Sequence, residues 1–191
     1  GFDGVNIFDA DAAALNNAAV AFDMKDINRK QLAGANVATY RKALDIMSNT
    51  SDVELQLLTI PGIREPSVTD YAINSVESRF DALFLMDIEQ KDENDSTVER
   101  IGDAPVSVRF TTQAMIDRDL NTSFAAAYFP DVVVTDPNTQ TLVTVPPSVA
   151  VLGALALNDA VGYPWFAPAG FTRGALNSVL EADVKLSKDN M

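Results

Sequence analysis

The chain has 191 residues, of which 47% are hydrophobic, and a formal net charge of −13, so it is long enough to bury one sizeable core. It contains no Cys and no His, which excludes disulfides, Cys-type zinc sites, thiol nucleophiles and a Ser-His-Asp triad. Its negative charge disfavours nucleic acid and anionic membranes, and its longest apolar run falls short of the roughly 20 residues of a membrane helix, so neither partner is expected.

The first half of the chain predicts helices alternating with strands. Leu32–Met47 has apolar residues at helical spacing, and Glu54–Ile60 follows as a short strand that ends at the turn signal Pro61-Gly62. Pro66 opens a second helix, whose apolar residues form one stripe: Val68, Ala72, Val76 and Phe80. Ala82–Ile88 is a second apolar strand. This strand, helix, strand order predicts a parallel sheet covered on both faces.

A polar segment, Gln90–Glu99, comes next and predicts an exposed loop. Oxygen-bearing side chains in and after it partly imitate the ligand spacing of a calcium loop: Asp92, Asn94, Ser96 and Asp103. Thr97 stands where the tight turn of such a loop requires Gly. We therefore favour a solvated charged loop that is mobile and points outward.

The second half of the chain predicts a helix over Ser107–Leu120 and then a region rich in β-formers, Phe124 to Val145. The turn signal Asp136-Pro137-Asn138-Thr139 lies between two short strands, Val132–Thr135 and Leu142–Val145, which favours a β-hairpin.

A small, apolar helix is expected after this hairpin. Pro146-Pro147 ends the last strand, and Ser148 is predicted to cap the helix that contains Val149–Leu157. That helix has no charged face, so we expect it to be buried.

The stretch Tyr163–Gly170 combines three large aromatic residues with two prolines. Such residues either pack in a core or anchor a partner. We expect Trp165 to be buried, so that its truncation to Ala costs about 3 to 5 kcal/mol.

Four stretches of sequence together resemble the signature of contractile phage tail sheath proteins. They are Tyr128-Phe129-Pro130, Val145-Pro146-Pro147-Ser148, Gly162 and Pro164-Trp165-Phe166-Ala167-Pro168-Ala169-Gly170. Asp3-Gly4 and Pro61-Gly62 are supporting matches, whereas Gln90–Leu120 carries none. The motif residues are assigned a structural role: Tyr128, Pro130, Pro146, Pro147, Ser148, Gly162, Trp165, Pro168, Ala169 and Gly170.

This resemblance implies a subtilisin-like α/β fold, in which helices flank a central, mostly parallel sheet accompanied by a β-hairpin. It implies a non-catalytic protein with no catalytic residue, metal or cofactor. Residues 1–191 would form a single sheath domain, a fragment of a longer chain without the terminal segments that link neighbouring subunits.

The same resemblance implies a structural subunit of the sheath that surrounds the tail tube and contracts to drive it through the host envelope. Its partners would be other sheath subunits, in rings stacked helically, together with the tail tube and the baseplate. The expected location is the virion tail, after assembly in the bacterial host cytoplasm. R-type pyocins and type VI secretion systems use related sheaths.

Two other classes of function are compatible with the residues. A non-catalytic binding or adhesion domain would expose a concave apolar pocket, whereas a sheath subunit should offer flat, polar contact faces. A hydrolase that uses only carboxylates would gather three or more of them around a metal, and Asp3, Asp9 and Asp11 are candidates. Asp11 precedes an alanine-rich stretch, where a helix cap is the simpler interpretation. The chain has no S-x-x-K or G-x-S-x-G pattern to support a covalent Ser enzyme.

Overall fold

The computed structural model describes residues 35–98, 105–163 and 165–186. The described helices are α1 (Ala35–Met47), α2 (Pro66–Arg79), α3 (Val108–Asp117), α4 (Pro147–Val161) and α5 (Gly170–Arg173). The described strands are β1 (Leu57–Thr59), β2 (Leu83–Asp87), β3 (Ala125–Tyr128), β4 (Val132–Thr135), β5 (Leu142–Val145) and β6 (Val179–Ala182). No helix among these residues is long and apolar enough to span a membrane.

A parallel sheet forms the first part of this mixed α/β fold. Its strand order is β1-β2-β3, with Phe84 of β2 opposite Leu58 of β1 and Ala125 of β3. The prediction of parallel strands joined through a helix is thus confirmed. The segment around β3 was grouped with the hairpin by its composition, but it pairs with β2, because the helix α3 returns the chain to the same sheet.

The core lies between this sheet and the pair α1 and α2. Val68, Ala72 and Val76 are fully buried, as the predicted stripe requires, and they pack with residues of α1 and β2 in one cluster. Phe80 departs from the stripe. It ends α2 in the left-handed conformation at φ 62°, and its side chain, 76% exposed, meets Phe124 edge to face at 5.2 Å.

Arg79, in the last turn of α2, joins three chain segments. Its guanidinium donates to the carbonyl oxygens of Met47 and Val53, the latter at 2.9 Å, and pairs with the carboxylate of Asp81 at 2.8 Å. The end of α1, the approach to β1 and the start of β2 are therefore held by one buried side chain.

A second, antiparallel sheet has the order β5-β4-β6. Strands β4 and β5 form the predicted hairpin, with Val132 opposite Val145. In its turn, the carboxylate of Asp136 accepts hydrogen bonds from the Asn138 N–H at 2.9 Å and the Thr139 hydroxyl at 2.7 Å. These bonds hold the pKa of Asp136 below its ordinary value.

The segment after β2 is more ordered than predicted. Val98 N–H donates to the Gln90 carbonyl at 2.9 Å, and both residues are buried. Lys91 N–H donates to the hydroxyl of buried Thr111 at 3.0 Å, and the Lys91 carbonyl accepts from Ser107 N–H at 2.7 Å. The expectation of an outward, mobile loop is wrong at these two ends, because Val98 supplies an apolar anchor and α3 supplies a hydrogen-bond partner. Residues 93–96 are exposed, as expected.

Helix α4 contradicts its predicted burial. Pro147, Ser148 and Asn158 are its buried residues, while Val149 and Leu157 are exposed. The helix packs against β2 and α5, and these neighbours cover only part of its circumference. A helix without a charged face was expected to be enclosed, but the described part of the chain leaves one apolar face of α4 open.

Candidate functional site

The motif residue Ser148, in the first turn of α4, meets the carboxyl end of the parallel sheet. Asp87 is the last residue of the middle strand, β2, and it is almost fully buried. Its carboxylate accepts three hydrogen bonds: from Ser148 N–H at 2.9 Å, from the Ser148 hydroxyl at 2.7 Å and from Gly62 N–H at 3.0 Å. We call Asp87, Gly62 and Ser148 the Asp87 junction.

Local sequence explains how the Asp87 junction forms. Pro146 flanks α4 and Pro147 lies in its first turn, where the missing N–H of a proline costs no hydrogen bond. Ser148 therefore presents a free backbone N–H at the positive end of the helix dipole, which favours a carboxylate partner. The prediction that Ser148 caps α4 is wrong in detail. Ser148 lies inside the first turn, and Asp87, from another element, satisfies the helix end.

The backbone conformation favours glycine at position 62, because its φ of +78° lies in the left-handed region. A Cβ there would stand 3.5 Å from Cγ of Pro146, an ordinary van der Waals contact. The turn after β1 thus comes close to the start of α4 while its N–H points at Asp87.

A buried ion pair lies beyond the end of β3. Tyr128 stands opposite Asp87 in the sheet register, and the Phe129–Pro130 peptide bond that follows is cis. Asp131, which is 1% exposed, pairs with Arg64 at 2.6 Å. Burial raises the pKa of the Asp131 carboxyl, although the attraction of Arg64 opposes the shift. The Asp131 carbonyl also accepts a hydrogen bond from Asp183 N–H at 2.8 Å, which links the pair to the chain after β6.

The motif residues that follow α4 form a separate, exposed surface. Helix α4 has 15 residues, so its two ends lie about 22 Å apart. Tyr163 and Trp165 stack with ring centroids 4.9 Å apart, and Phe166 meets Tyr163 edge to face. Trp165 is 75% exposed and Phe171 is 99% exposed. We call residues 162–171 the aromatic segment. The expected core position of Trp165 is wrong, because its ring contacts the neighbouring aromatic side chains on the surface.

The remaining residues of that motif shape the aromatic segment. Asn158, buried in α4, donates from Nδ2 to the Phe166 carbonyl at 2.8 Å, and its backbone carbonyl accepts from Gly162 N–H at 2.9 Å. Pro168 and Ala169 are exposed, and Gly170, at φ +76°, begins α5. The segment is therefore tied to the end of α4, while its aromatic rings face solvent.

An apolar groove of about 430 Å³ runs along the open face of α4. Residues Ala150, Gly153, Ala154 and Leu157 line one side, and Val134 and Val145 of the antiparallel sheet line the other. No lining residue is charged. We call this feature the α4 groove. It is the concave apolar surface that was expected of a binding domain rather than of a flat sheath contact.

Among the described residues, no group of three or more acidic side chains is placed to hold a metal ion. The Asp92 carboxylate accepts hydrogen bonds from Asn94 N–H and Ser96 N–H, both at 2.8 Å, so it closes its own turn. Those bonds lower the pKa of Asp92. Asp3, Asp9, Asp11 and Asp103 lie outside the described residues.

Sequence reasoning missed the charged residues of this region. It identified Tyr128, Pro130, Pro146, Pro147 and Ser148 as structural, but not Asp87, Arg64 or Asp131. One signal was available, because an aspartate that ends an apolar strand must find hydrogen-bond donors when the strand is central.

In comparisons with known proteins, no family model and no curated protein matches this chain.

Proposed function

We infer that this chain is a structural subunit of a contractile phage tail sheath, with the subtilisin-like domain arrangement that its motifs suggest. The proposal rests first on the resemblance of those motifs. The observation that supports it best is their convergence: Pro61-Gly62, the end of β3 at Tyr128 and the segment Val145–Ser148 meet at the Asp87 junction. Segments that are distant in sequence are thus linked at one structural point.

The chemistry of the Asp87 junction suits a structural role. An aspartate that serves as a general base needs a free lone pair directed at a substrate. The Asp87 carboxylate is buried and accepts three internal hydrogen bonds. Its role in this proposal is to fix the start of α4 against the parallel sheet, so that the domain moves as a rigid unit when contacts between subunits change.

The aromatic segment is the proposed contact with a neighbouring subunit. Exposed aromatic side chains are characteristic anchors of protein interfaces, since they bury large areas with few rotatable bonds. Trp165 and Phe171 are exposed, and Arg173 lies over the Phe166 ring with its guanidinium carbon 4.7 Å from the centroid. In assembled rings, we expect these side chains to be covered by the next subunit.

Electron microscopy of the full-length protein tests this function. We expect helical tubes from the unmodified protein, and shorter or absent tubes from the Trp165→Ala/Phe171→Ala double variant. The matched control is Ile116→Ala, which removes an exposed apolar side chain from α3. Absence of tubes from the full-length protein under all assembly conditions would contradict the proposal. Tubes unaffected by the double variant would remove the aromatic segment from the interface.

A second candidate function is a non-catalytic binding or adhesion domain of a phage or secretion particle. The α4 groove favours it, because an open apolar pocket of this volume is in the range that small ligands occupy. A screen of apolar compounds by NMR would support this candidate if shifts were confined to the groove. Replacing Gly153 with Leu, where an added Cβ meets nothing within 4 Å, should then abolish binding.

A further inference from the structure

Asn158 is the buried polar side chain that joins α4 to the aromatic segment. It is 7% exposed, and it lies in the last turn of a helix whose other buried residues, Pro147 and Ser148, are at the opposite end. Its Nδ2 donates to the Phe166 carbonyl at 2.8 Å, and its backbone carbonyl accepts from Gly162 N–H at 2.9 Å. One residue therefore holds two points of the chain that leaves α4.

Phe166 passes this attachment on to the rest of the aromatic segment. Its ring meets the Tyr163 and Trp165 rings edge to face, with centroids 5.4 Å and 6.4 Å apart. Arg173 lies over the same ring. The Phe166 N–H also donates to the Tyr163 carbonyl at 2.8 Å. The stacked pair of Tyr163 and Trp165 is thus built on a residue whose carbonyl is held by Asn158.

The bend between α4 and Phe166 is closely packed. A Cβ at Gly162 would stand 3.0 Å from the Asn158 carbonyl oxygen and 3.2 Å from Cδ2 of Phe166. Both distances are shorter than the optimal separation of non-bonded heavy atoms, which is about 3.5 to 4.0 Å. The absence of a side chain at Gly162 therefore lets the Phe166 ring lie directly against the end of the helix.

The Asn158 amide contributes less to stability than its burial suggests. Its Oδ1 is buried and has no hydrogen-bond partner among the residues that the structure describes. A buried acceptor without a donor loses its hydration, and this loss offsets the value of the bond that Nδ2 makes. Leucine has nearly the same branched shape, no polar atom and a higher helix propensity. Stability alone would therefore favour leucine at this position of a mostly apolar helix.

We propose that Asn158 is a positioning residue, which acts through Phe166 to present the aromatic segment to a partner. A segment that is already fixed loses less conformational entropy when a partner covers it than a free loop does, and this difference favours association. The identity of the partner, a neighbouring sheath subunit, rests on the proposed function. The positioning itself does not, because the hold on Phe166 is a property of the single chain.

Spectroscopy of Trp165 tests the positioning, because Trp165 is the only tryptophan in the 191 residues. We expect Asn158→Leu to weaken the near-UV circular dichroism of Trp165 and to lower its fluorescence anisotropy, since the Phe166 carbonyl has lost its donor. The far-UV spectrum should be unchanged, and the urea midpoint should not fall. The matched control is Asn74→Leu, the same replacement at an exposed position of α2, which should leave the Trp165 signals unchanged.

The two readouts separate positioning from general stabilisation of the fold. A purely structural role predicts a lower urea midpoint for Asn158→Leu with unchanged Trp165 signals in the absence of denaturant. That result would overturn the proposal. Unchanged signals with an unchanged midpoint would also overturn it. A lower midpoint together with altered Trp165 signals would make Asn158 a general stabiliser, and the positioning role would again be wrong.

Electron microscopy of the full-length protein tests the link with assembly. We expect Asn158→Leu to form fewer or shorter tubes than the Asn74→Leu control, although Trp165 and Phe171 are both retained. A normal yield of tubes from Asn158→Leu would overturn the presentation of the segment to a subunit. Absence of tubes from the unmodified protein would contradict the sheath assignment, and the Trp165 signals would then decide by themselves whether Asn158 positions the segment.

Discussion

At the residue scale, Asp87 is a buried acceptor whose side-chain partners come from two other chain segments. Its carboxylate satisfies two backbone N–H groups and one hydroxyl in a buried position. Removing an acceptor from such a site leaves the donors without partners in a place that water reaches poorly, and this loss exceeds the net value of the hydrogen bonds themselves.

We expect Asp87→Ala to lower the free energy of unfolding by about 3 kcal/mol, because the backbone N–H and the hydroxyl of the fully buried Ser148 lose their acceptor. Urea denaturation measures this change. Glu93→Ala, which removes an exposed carboxylate, is the control and should change stability by less than about 0.5 kcal/mol. Similar midpoints for the two variants would show that the Asp87 junction contributes little to stability.

Trp165 and Phe84 form a matched pair of aromatic truncations with opposite expectations. Trp165 is 75% exposed and Phe84 is 1% exposed. We expect Trp165→Ala to lower the free energy of unfolding by less than about 1 kcal/mol, and Phe84→Ala to lower it by about 3 to 5 kcal/mol. Urea denaturation measures both changes. A large decrease in the free energy of unfolding from Trp165→Ala would show that Trp165 is buried in the core, as the sequence predicted.

Asp131 and Asp136 should titrate on opposite sides of the ordinary aspartate pKa of about 3.9. Burial raises the pKa of Asp131, so its contribution to stability is present below about pH 3.9 and is lost as the pH rises through the folded-state pKa. Hydrogen bonds lower the pKa of Asp136, so its contribution is present above about pH 3.9 and is lost as the pH falls through the folded-state pKa. Carboxyl ¹³C titration by NMR measures both values, and the reverse order would contradict the assigned causes.

At the element scale, local pattern predicted most helices and strands but not their surroundings. The stripe on α2, the strands β1 and β2 and the β4–β5 hairpin were predicted because apolar periodicity and turn residues act over a few positions. The exposure of α4 was not, since a run of uncharged residues shows only that burial is favourable. It does not show which part of the chain supplies the cover.

The segment after β2 gives a test of element anchoring. Thr111→Val should remove the buried hydroxyl that accepts the hydrogen bond from Lys91 N–H. We expect this loss to lower the free energy of unfolding by about 1 to 3 kcal/mol. Thr112→Val is the control on the same helix, because the Thr112 hydroxyl is exposed and bonds within α3. Amide hydrogen exchange of residues 91–98 should accelerate in the first variant alone. Equal exchange in both would mean that the hydrogen bond to α3 does not hold this segment.

At the scale of the whole molecule, buried polar contacts link the region of the parallel sheet to the antiparallel sheet and to α4. Arg64, from the loop before α2, reaches Asp131 at the start of β4, and Asp87 of β2 holds the start of α4. None of these links is visible in sequence, because the partners are 61 to 67 positions apart and each is an ordinary charged or hydroxyl residue. The motif resemblance pointed to the right segments, but not to the side chains that connect them.

We expect Arg64→Met to lower the free energy of unfolding by about 3 to 5 kcal/mol, because it leaves the buried Asp131 carboxylate unpaired. The double variant Arg64→Met/Asp131→Leu should recover a large part of that loss, since neither charge is then buried alone. Thermal and urea unfolding measure both variants. Equal losses in the single and double variants would show that the pair contributes through packing rather than through charge.

The place that Asp87 occupies is the one where many α/β proteins receive an anion from solution, at the carboxyl end of a parallel strand and the amino end of a helix. Here the anion is part of the polypeptide, so it is present at a fixed, high effective concentration and cannot be diluted away. A free phosphate or carboxylate would have to compete with this tethered ligand for the Ser148 N–H. The Ser148 N–H at the start of α4 is therefore expected to keep Asp87 as its partner when the concentration of free anions in solution changes.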